Sequence, residues 1–345
     1  MNIRDIAELA GVSKSTVSRV INNSDSVDSK TRELVLKVIR ENNFLPSAMA
    51  RGLSTQDTNI IGVVLPEVDN SFFGQIIQGI NDALIDSPYT MLLCCTENIP
   101  EREIKALKAL RQQRVRGVLI TSSHDFCEAS TAAEITNALS SIDAPVVLID
   151  RALKNTPWDG VYSDNVNGAY SATEALAKRG FKKISAFVSD MQLPIGKERF
   201  EGFRLAMEKS GIPLDPSQLY LQEFPASMSE VYSFTCELIE NQKLPDAIFL
   251  SNAIIANGFY KALLEKGIMP GQAIHCVGFN YCEALDILHV PYSYLERNSM
   301  LFGQTATEIL LQLFKTASPV RKEYIIPAIL HLDETLLSIT KHPRS

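Results

Sequence analysis

The amino-acid sequence predicts an α/β protein in two parts: an N-terminal all-α helix-turn-helix head, and a two-lobed body in which each lobe is a doubly wound parallel sheet. Three observations carry this expectation. Residues 3–21 show two short runs of helical apolar spacing broken by Gly11. From Asn59 onward, apolar runs of strand length alternate with amphipathic stretches of helix length, as in a parallel sheet covered on both faces. That alternation occurs twice over, and 345 residues is too long for one small domain but suits two or three.

In the head, Ile6, Leu9 and Ala10 stand at i, i+3 and i+4, and Val12, Val17, Val20 and Ile21 resume the stripe after the break. Asn2 is placed to cap the first helix with Asp5 answering three residues later, and Ser13 to cap the second. Lys14, Ser15, Thr16, Ser18 and Arg19 then occupy the outer face of the second helix, with Asn22 at its end. Such side chains reach base edges and phosphates in a major groove. Asp28 opens a third helix whose Leu34, Val35, Val38 and Ile39 close a small core with Ile6, Leu9, Val17 and Val20, and Asn42-Asn43 ends it. Two amphipathic helices joined by a glycine also describe an ordinary helical hairpin. The run from Asp5 to Asn22, Asp-Ile-Ala-x-Leu-Ala-Gly-Val-Ser-x-x-Thr-Val-Ser-Arg-Val-Ile-Asn, goes further. It closely resembles the head of the lactose-repressor (LacI/GalR) family of bacterial transcription regulators.

That resemblance divides the chain into a head of residues 1–45, a hinge helix and linker of 46–58, and an effector-binding and dimerisation body of 59–340. It implies that the hinge orders on operator DNA, pairs with its twin and pushes a leucine into the minor groove, with Leu53 as the wedge and Arg51 as a neighbouring contact. Gly52 departs from the larger residue usual in the family, and a glycine inside a helix costs about 0.5–1 kcal/mol relative to alanine.

In the body, strands are expected at 60–65, 90–96, 117–122 and 145–150, with helices at 72–85 and 101–112. A second set has strands at 183–189, 247–251 and 274–279 and helices at 166–178, 197–210, 228–241 and 254–266. The resemblance implies a periplasmic-binding-protein architecture with crossings near 160, 290 and 322. Lobe 1 is then about 59–160 and 291–322, and lobe 2 about 161–290 and 323–340. Ligands of open α/β sheets bind at the carboxyl ends of strands, and here two such edges face each other.

The residues at those ends form the expected effector site. Phe72 and Phe73 follow the first strand, one for the core and the other to stack on a ligand. Asp150-Arg151, Ser163-Asp164-Asn165, Ser251-Asn252 and Asn280 supply polar groups, although Asp and Asn are also ordinary turn and capping residues. Arg199 matches the family's arginine that grips ligand oxygens, and Lys197 adds a cation in the first turn of the same helix, where free N–H groups favour an anion. The family's common Asn-Asp is Asn252-Ala253 here and its Gly-Phe-Asp is Gly278-Phe279-Asn280, so two carboxylates are missing. A carbohydrate carrying negative charge is the expected effector, most simply a sugar phosphate, then a neutral sugar, then a purine.

Composition bounds the remaining classes. The net charge of −7 argues against a general nucleic-acid coat, yet residues 1–56 hold eight Lys/Arg against six Asp/Glu, which confines DNA contact to one end. Six cysteines, at 94, 95, 127, 236, 276 and 282, have no CxxC spacing, and Cys94, Cys95 and Cys276 fall in apolar runs, which suits buried thiols. The five histidines are scattered, and neither a P-loop, GxGxxG nor GxSxG occurs, so no enzyme, cofactor or metal is expected. With no signal peptide and no apolar run of membrane length, the expected location is the cytoplasm. The expected partners are operator DNA, a second copy of the chain as homodimer, and a small effector, a sugar or sugar phosphate. Two rivals remain: a solute-binding or sugar-converting protein, and an architectural DNA-bending protein.

Overall fold

The computed structural model describes residues 1–21, 26–42, 44, 58–126, 128–223, 226–316 and 320–338. Asn22, the hinge residues Arg51 and Leu53, Cys127 and the tail from 339 lie outside the described residues.

The head folds as α1 (Ile3–Leu9), α2 (Lys14–Ile21) and α3 (Ser29–Glu41). Asn2 Oδ1 accepts from the Arg4 and Asp5 amides at 2.8 and 3.4 Å, and the Asp5 carboxylate accepts from the Asn2 amide at 2.7 Å, completing a capping box. Ser13 Oγ accepts from the Thr16 amide at 3.1 Å, and Asp28 Oδ1 from the Thr31 amide at 3.0 Å. Gly11 supplies the turn at φ 62°, a left-handed conformation that costs glycine nothing. The core is Ile6, Ala7, Ala10, Val17, Val20, Val35 and Val38. Leu9 and Leu34, expected inside, are exposed. At about 100° per residue, Ile6, Ala7 and Ala10 share one arc of α1, and Leu9 falls outside it.

The body begins with β1 (Ile60–Leu65), α4 (Ser71–Leu84), β2 (Thr90–Cys95), α5 (Pro100–Gln112), β3 (Gly117–Ile120), α6 (Ala129–Ser140), β4 (Val146–Ile149) and β5 (Asp159–Ser163). It continues with α7 (Asn165–Lys178), β6 (Ile184–Val188), α8 (Pro194–Lys209), β7 (Leu219–Leu221), α9 (Met228–Glu240), β8 (Ala247–Leu250), α10 (Ala253–Glu265) and β9 (His275–Phe279). The last elements are α11 (Glu283–Ile287), β10 (Ser293–Glu296), α12 (Ser299–Leu313), β11 (Glu323–Ile326), β12 (Ile329–His331) and α13 (Glu334–Leu337).

One sheet has the order β11-β5-β4-β3-β1-β2 and is parallel throughout. The other has the order β12-β10-β9-β8-β6-β7, parallel except where β12 runs against β10. Both are covered on both faces. In the first, Val63, Leu119 and Val147 pack on α4 and α12, while Val64, Val118 and Ile120 pack on α5 and α6. In the second, Ala186, Phe249 and Val277 face α7 and α8, while Ile248, Leu250 and Cys276 face α9 and α10.

The crossings fall later than expected: after Ser163, at Arg297-Asn298, and between Ile326 and Ile329. The strand at 293–296 therefore belongs to the second lobe and that at 323–326 to the first, the reverse of the expected division. The first joins its sheet by pairing with β9, the strand before it, and the second by pairing with β5, far earlier in sequence; the four-residue runs themselves do not specify that choice. The helices α6, α11, α12 and α13 and the short strands β5, β7, β10, β11 and β12 are further elements that the expected set lacks. Cys276 is buried as expected and Cys94 partly so, but Cys95 is exposed because β2 is the edge strand of its sheet.

Two helices of the first lobe touch backbone to backbone. A Cβ on Gly79 of α4 would land on the carbonyl of Met300, and one on Gly303 of α12 on the carbonyl of Ile76.

Candidate functional site

The strand order places each lobe's switch point, where neighbouring strands run outward to opposite sides, at β1/β3 in the first lobe and β6/β8 in the second. Crevices at such points are where open α/β sheets bind ligands. In the second lobe Asn252 closes that crevice: its Oδ1 caps α10 through the Ile255 amide at 2.9 Å, and its Nδ2 donates to Ser189 Oγ at 2.8 Å and Asp190 Oδ2 at 3.4 Å. Asn252 therefore both caps a helix and lies at a strand end.

Between the lobes sits Arg297, which the sequence reading did not single out. Its Nε donates to Asn280 Oδ1 at 2.8 Å and its Nη1 to Asp150 Oδ1 at 3.1 Å, with Ser163 Oγ at 3.4 Å. The guanidinium lies 3.6 Å from the Phe72 ring centroid, a cation–π contact. Asp150 and Asn280 hold their side chains inward from left-handed backbones, φ 65° and 77°, which Asp and Asn tolerate better than other residues. The available signal was an arginine at a strand-to-helix junction, just before the Asn298 that caps α12.

Arg199 lies beside Phe279, its guanidinium 4.1 Å from that ring's centroid and Arg297's 6.0 Å away. Arg199 is 4% exposed; Nε donates to Asn165 Oδ1 at 3.0 Å and Nη1 to the Ser251 carbonyl at 2.7 Å. Its Nη2 is buried with no hydrogen-bond partner. Burial first, then Arg297, pull the Arg199 pKa down to about 9, with Asp150, Asp190 and Glu198 opposing, so the guanidinium stays charged at neutral pH but at a desolvation cost that a further anion would lower. Burial lowers Arg297 as well, with Asp150 opposing.

The other expected residues divide. Phe72 and Phe73 are both buried in the core of the first lobe, in edge contact at 5.1 Å, and Phe72's exposed face is taken by Arg297. Asp164 caps α7 through the Asn167 amide at 3.1 Å. Arg151 turns into the first lobe, where Nη1 donates to Asn98 Oδ1 at 2.7 Å and the Ser122 carbonyl at 3.0 Å. Beneath it the fully buried Glu103 accepts from Ser122 Oγ, the Ser123 amide and Ser123 Oγ, each at 2.6 Å. Lys197 is exposed and donates to the Gln192 carbonyl at 3.1 Å. Residues two apart on a helix stand about 200° apart, so Lys197 and Arg199 cannot share the cleft face. The cation that joins Arg199 is Arg297 instead.

A cavity of about 150 Å³ opens between the lobes, bounded by Asp150, Arg151, Ser163, Asn165, Pro194 and Glu198 among others. That is well under the roughly 300–1,000 Å³ of drug-sized sites, room for a single small ring. Burial raises the Glu198 carboxyl above its ordinary range, against a hydrogen bond from Asn165.

In the head, Lys14 and Arg19 are exposed on α2. The hydroxyls of Ser15 and Thr16 each lie 2.8 Å from Ser13 Oγ, and Ser18 is half-buried. Among the described residues, no cluster of three or more His, Cys, Asp and Glu side chains is arranged to hold a metal, and no helix is long and apolar enough to cross a membrane.

Residues 2–47 match the bacterial regulatory proteins of the lacI family, and residues 58–330 match the periplasmic binding proteins and sugar binding domain of the LacI family. The transcriptional repressor PurR of Haemophilus influenzae (strain PittEE) is 31% identical over 310 residues, 90% of each chain. The regulator DegA of Bacillus subtilis (strain 168) is 31% identical over 278 residues, 81% of each. The fold is also that of the lac repressor dimer crystallised with operator and the anti-inducer ONPF: TM-score 0.83 at 24% identity, covering 97% of this chain and 99% of that one. These relatives are regulators rather than enzymes, and with a head and a body that each match, the chain belongs to the lacI family of bacterial DNA-binding transcription regulators.

Proposed function

We propose that the protein is an effector-controlled repressor of a carbohydrate-utilisation operon, that it binds a pseudo-palindromic operator as a homodimer, and that its effector is a carbohydrate bearing a negative charge. The observation that carries the effector class is Arg199: a buried guanidinium at the facing strand ends with one donor unsatisfied. Leaving a buried charged donor unpaired costs free energy that a phosphate or carboxylate oxygen would offset. Asp150, Asn280 and Asn252 are the groups that take hydroxyls. The dimer and the operator rest on the helix-turn-helix head and on the lac repressor, whose structure is of an operator-bound dimer.

The test is calorimetry of the full-length protein with glucose 6-phosphate and with glucose. The phosphorylated sugar is expected to bind at least tenfold more tightly, and at 100 times its dissociation constant to add about 2.7 kcal/mol to stability. Equal affinity for the neutral sugar would remove the anion. Lys197→Ala is expected to leave the affinity unchanged, since its ammonium points to the Gln192 carbonyl.

On DNA, Lys14, Ser15, Thr16, Ser18, Arg19 and Asn22 are assigned to the major groove, and Arg51 and Leu53, in the 46–58 hinge, to the minor groove. Arg19→Ala is expected to cost about 1–3 kcal/mol and to relax preference at one position per half-site. Leu53→Ala is expected to reduce bending and weaken operator binding while sparing salt-sensitive binding to random DNA. Gel-shift titrations on operator and random duplexes decide both. Equal loss on the two duplexes would make Leu53 a folding residue only.

A further inference from the structure

The salt bridge between Arg297 and Asp150 is the one described ion pair buried on both sides, with side chains 6% and 5% exposed. It also spans the cleft. Arg297 leaves the last strand before the second crossing; Asn280, its Nε partner, belongs to the second lobe, whereas Asp150 and the Phe72 ring beneath it belong to the first. A single side chain therefore ties the two lobes together. Beside Phe279 lies the second buried guanidinium, Arg199, hydrogen-bonded only to an amide and a carbonyl oxygen. Of these two buried cations, only Arg297 has a directly bonded carboxylate.

A buried ion pair is close to break-even between desolvation and attraction, and losing one partner outright is costly. Exchanging one carboxylate for another anion keeps the guanidinium paired, so the cost falls on the displaced Asp150 alone and is lessened if that carboxylate gains a new donor. We propose that the Arg297–Asp150 bridge is an exchangeable latch: an anionic group of the effector replaces Asp150 on Arg297 and is shared with Arg199 Nη2, while the released Asp150 accepts a ligand hydroxyl. This inference rests on the anionic-effector reading and adds its regulation. The ligand changes which lobe Arg297 is bonded to, and so binds two lobe arrangements with different affinity, the requirement for control at a distance. It also makes Asp150 an internal competitor that sets how strong an anion must be to bind.

The test uses the full-length protein with inorganic phosphate as probe, in wild type, Asp150→Asn and Arg297→Gln. Asparagine suits the left-handed backbone at 150 and keeps the side chain's shape without its charge. Expected results are at least tenfold tighter phosphate binding in Asp150→Asn, at least tenfold weaker binding in Arg297→Gln, and a larger radius of gyration by X-ray scattering for ligand-free Asp150→Asn than for wild type. If Arg297→Gln fails to fold, Arg297→Lys keeps the charge without the two-armed fork and is expected to lose at least threefold. Wild-type binding together with unchanged or weaker binding in Asp150→Asn overturns the latch and leaves the anionic effector standing. No binding in any of the proteins removes both.

Discussion

Replacing Gly303 by valine is expected to destabilise the protein by about 4 kcal/mol, beyond the roughly 1–3 kcal/mol typical of overpacking. The reason is what the new side chain meets. At Gly62 and Gly117 a neighbouring leucine side chain can swing aside, but at Gly303 the obstacle is the Ile76 carbonyl, and reciprocally at Gly79 it is the Met300 carbonyl. Both are main-chain atoms within helices, so α4 and α12 must separate along their length and open the core that Phe72, Ile76, Ile80, Phe302 and Ala306 fill. Against a total stability of about 5–15 kcal/mol, such a loss is visible as a lower urea midpoint. Gly278→Ala is the control, because its added Cβ would meet Ala256 Cβ at 3.8 Å, an ordinary contact. A loss under about 1 kcal/mol for Gly303→Val would show that the helices are not in backbone contact.

Arg199→Met is expected to weaken glucose 6-phosphate binding by about 3 kcal/mol or more, roughly a hundredfold, because truncating a buried charged partner typically costs about 2–5 kcal/mol. Folding stability should move far less. The substitution removes a charge whose ionised form burial disfavours, and leaves Asn165 Oδ1 and the Ser251 carbonyl without a donor; these effects oppose each other. Calorimetry and chemical denaturation on the same sample separate them. Binding within threefold of wild type would place the anion elsewhere.

The head was legible almost residue by residue, because capping and helical spacing are local: Asn2 with Asp5, Ser13 and Asp28 all act as their positions imply. Its two misplaced leucines, Leu9 and Leu34, show the limit, since a short apolar stripe does not say which of two adjacent arcs meets the partner helices. The strands β1, β3, β4, β6, β8 and β9 were legible as apolar runs, and Arg199, Asp150 and Asn280 at or near their ends were placed in the right neighbourhood. Arg297 was not, because its importance arises from a chain crossing that β9, 14 residues or more earlier, fixes through pairing with β10. Lys197 failed for a geometric reason available beforehand: two residues along a helix is the wrong side.

The interleaving of the two lobes has a consequence for biosynthesis. The first sheet presents β1 to the ribosome exit early, yet the helix that with α4 covers Val63, Leu119 and Val147 supplies Phe302 and Leu310, and the strand that completes the sheet's far edge is Glu323–Ile326. At about 5–20 residues per second, the interval between Leu65 and Phe302 is roughly 10–50 s, during which α4 is that apolar face's sole permanent helical cover. The nascent chain must hold one unfinished layer while an entire second lobe emerges, so demand for chaperone holding should peak before residue 300 is made rather than at release. Ribosome-bound chains stalled at increasing lengths, probed for chaperone occupancy and protease sensitivity, should show both falling together only once α12 has left the tunnel.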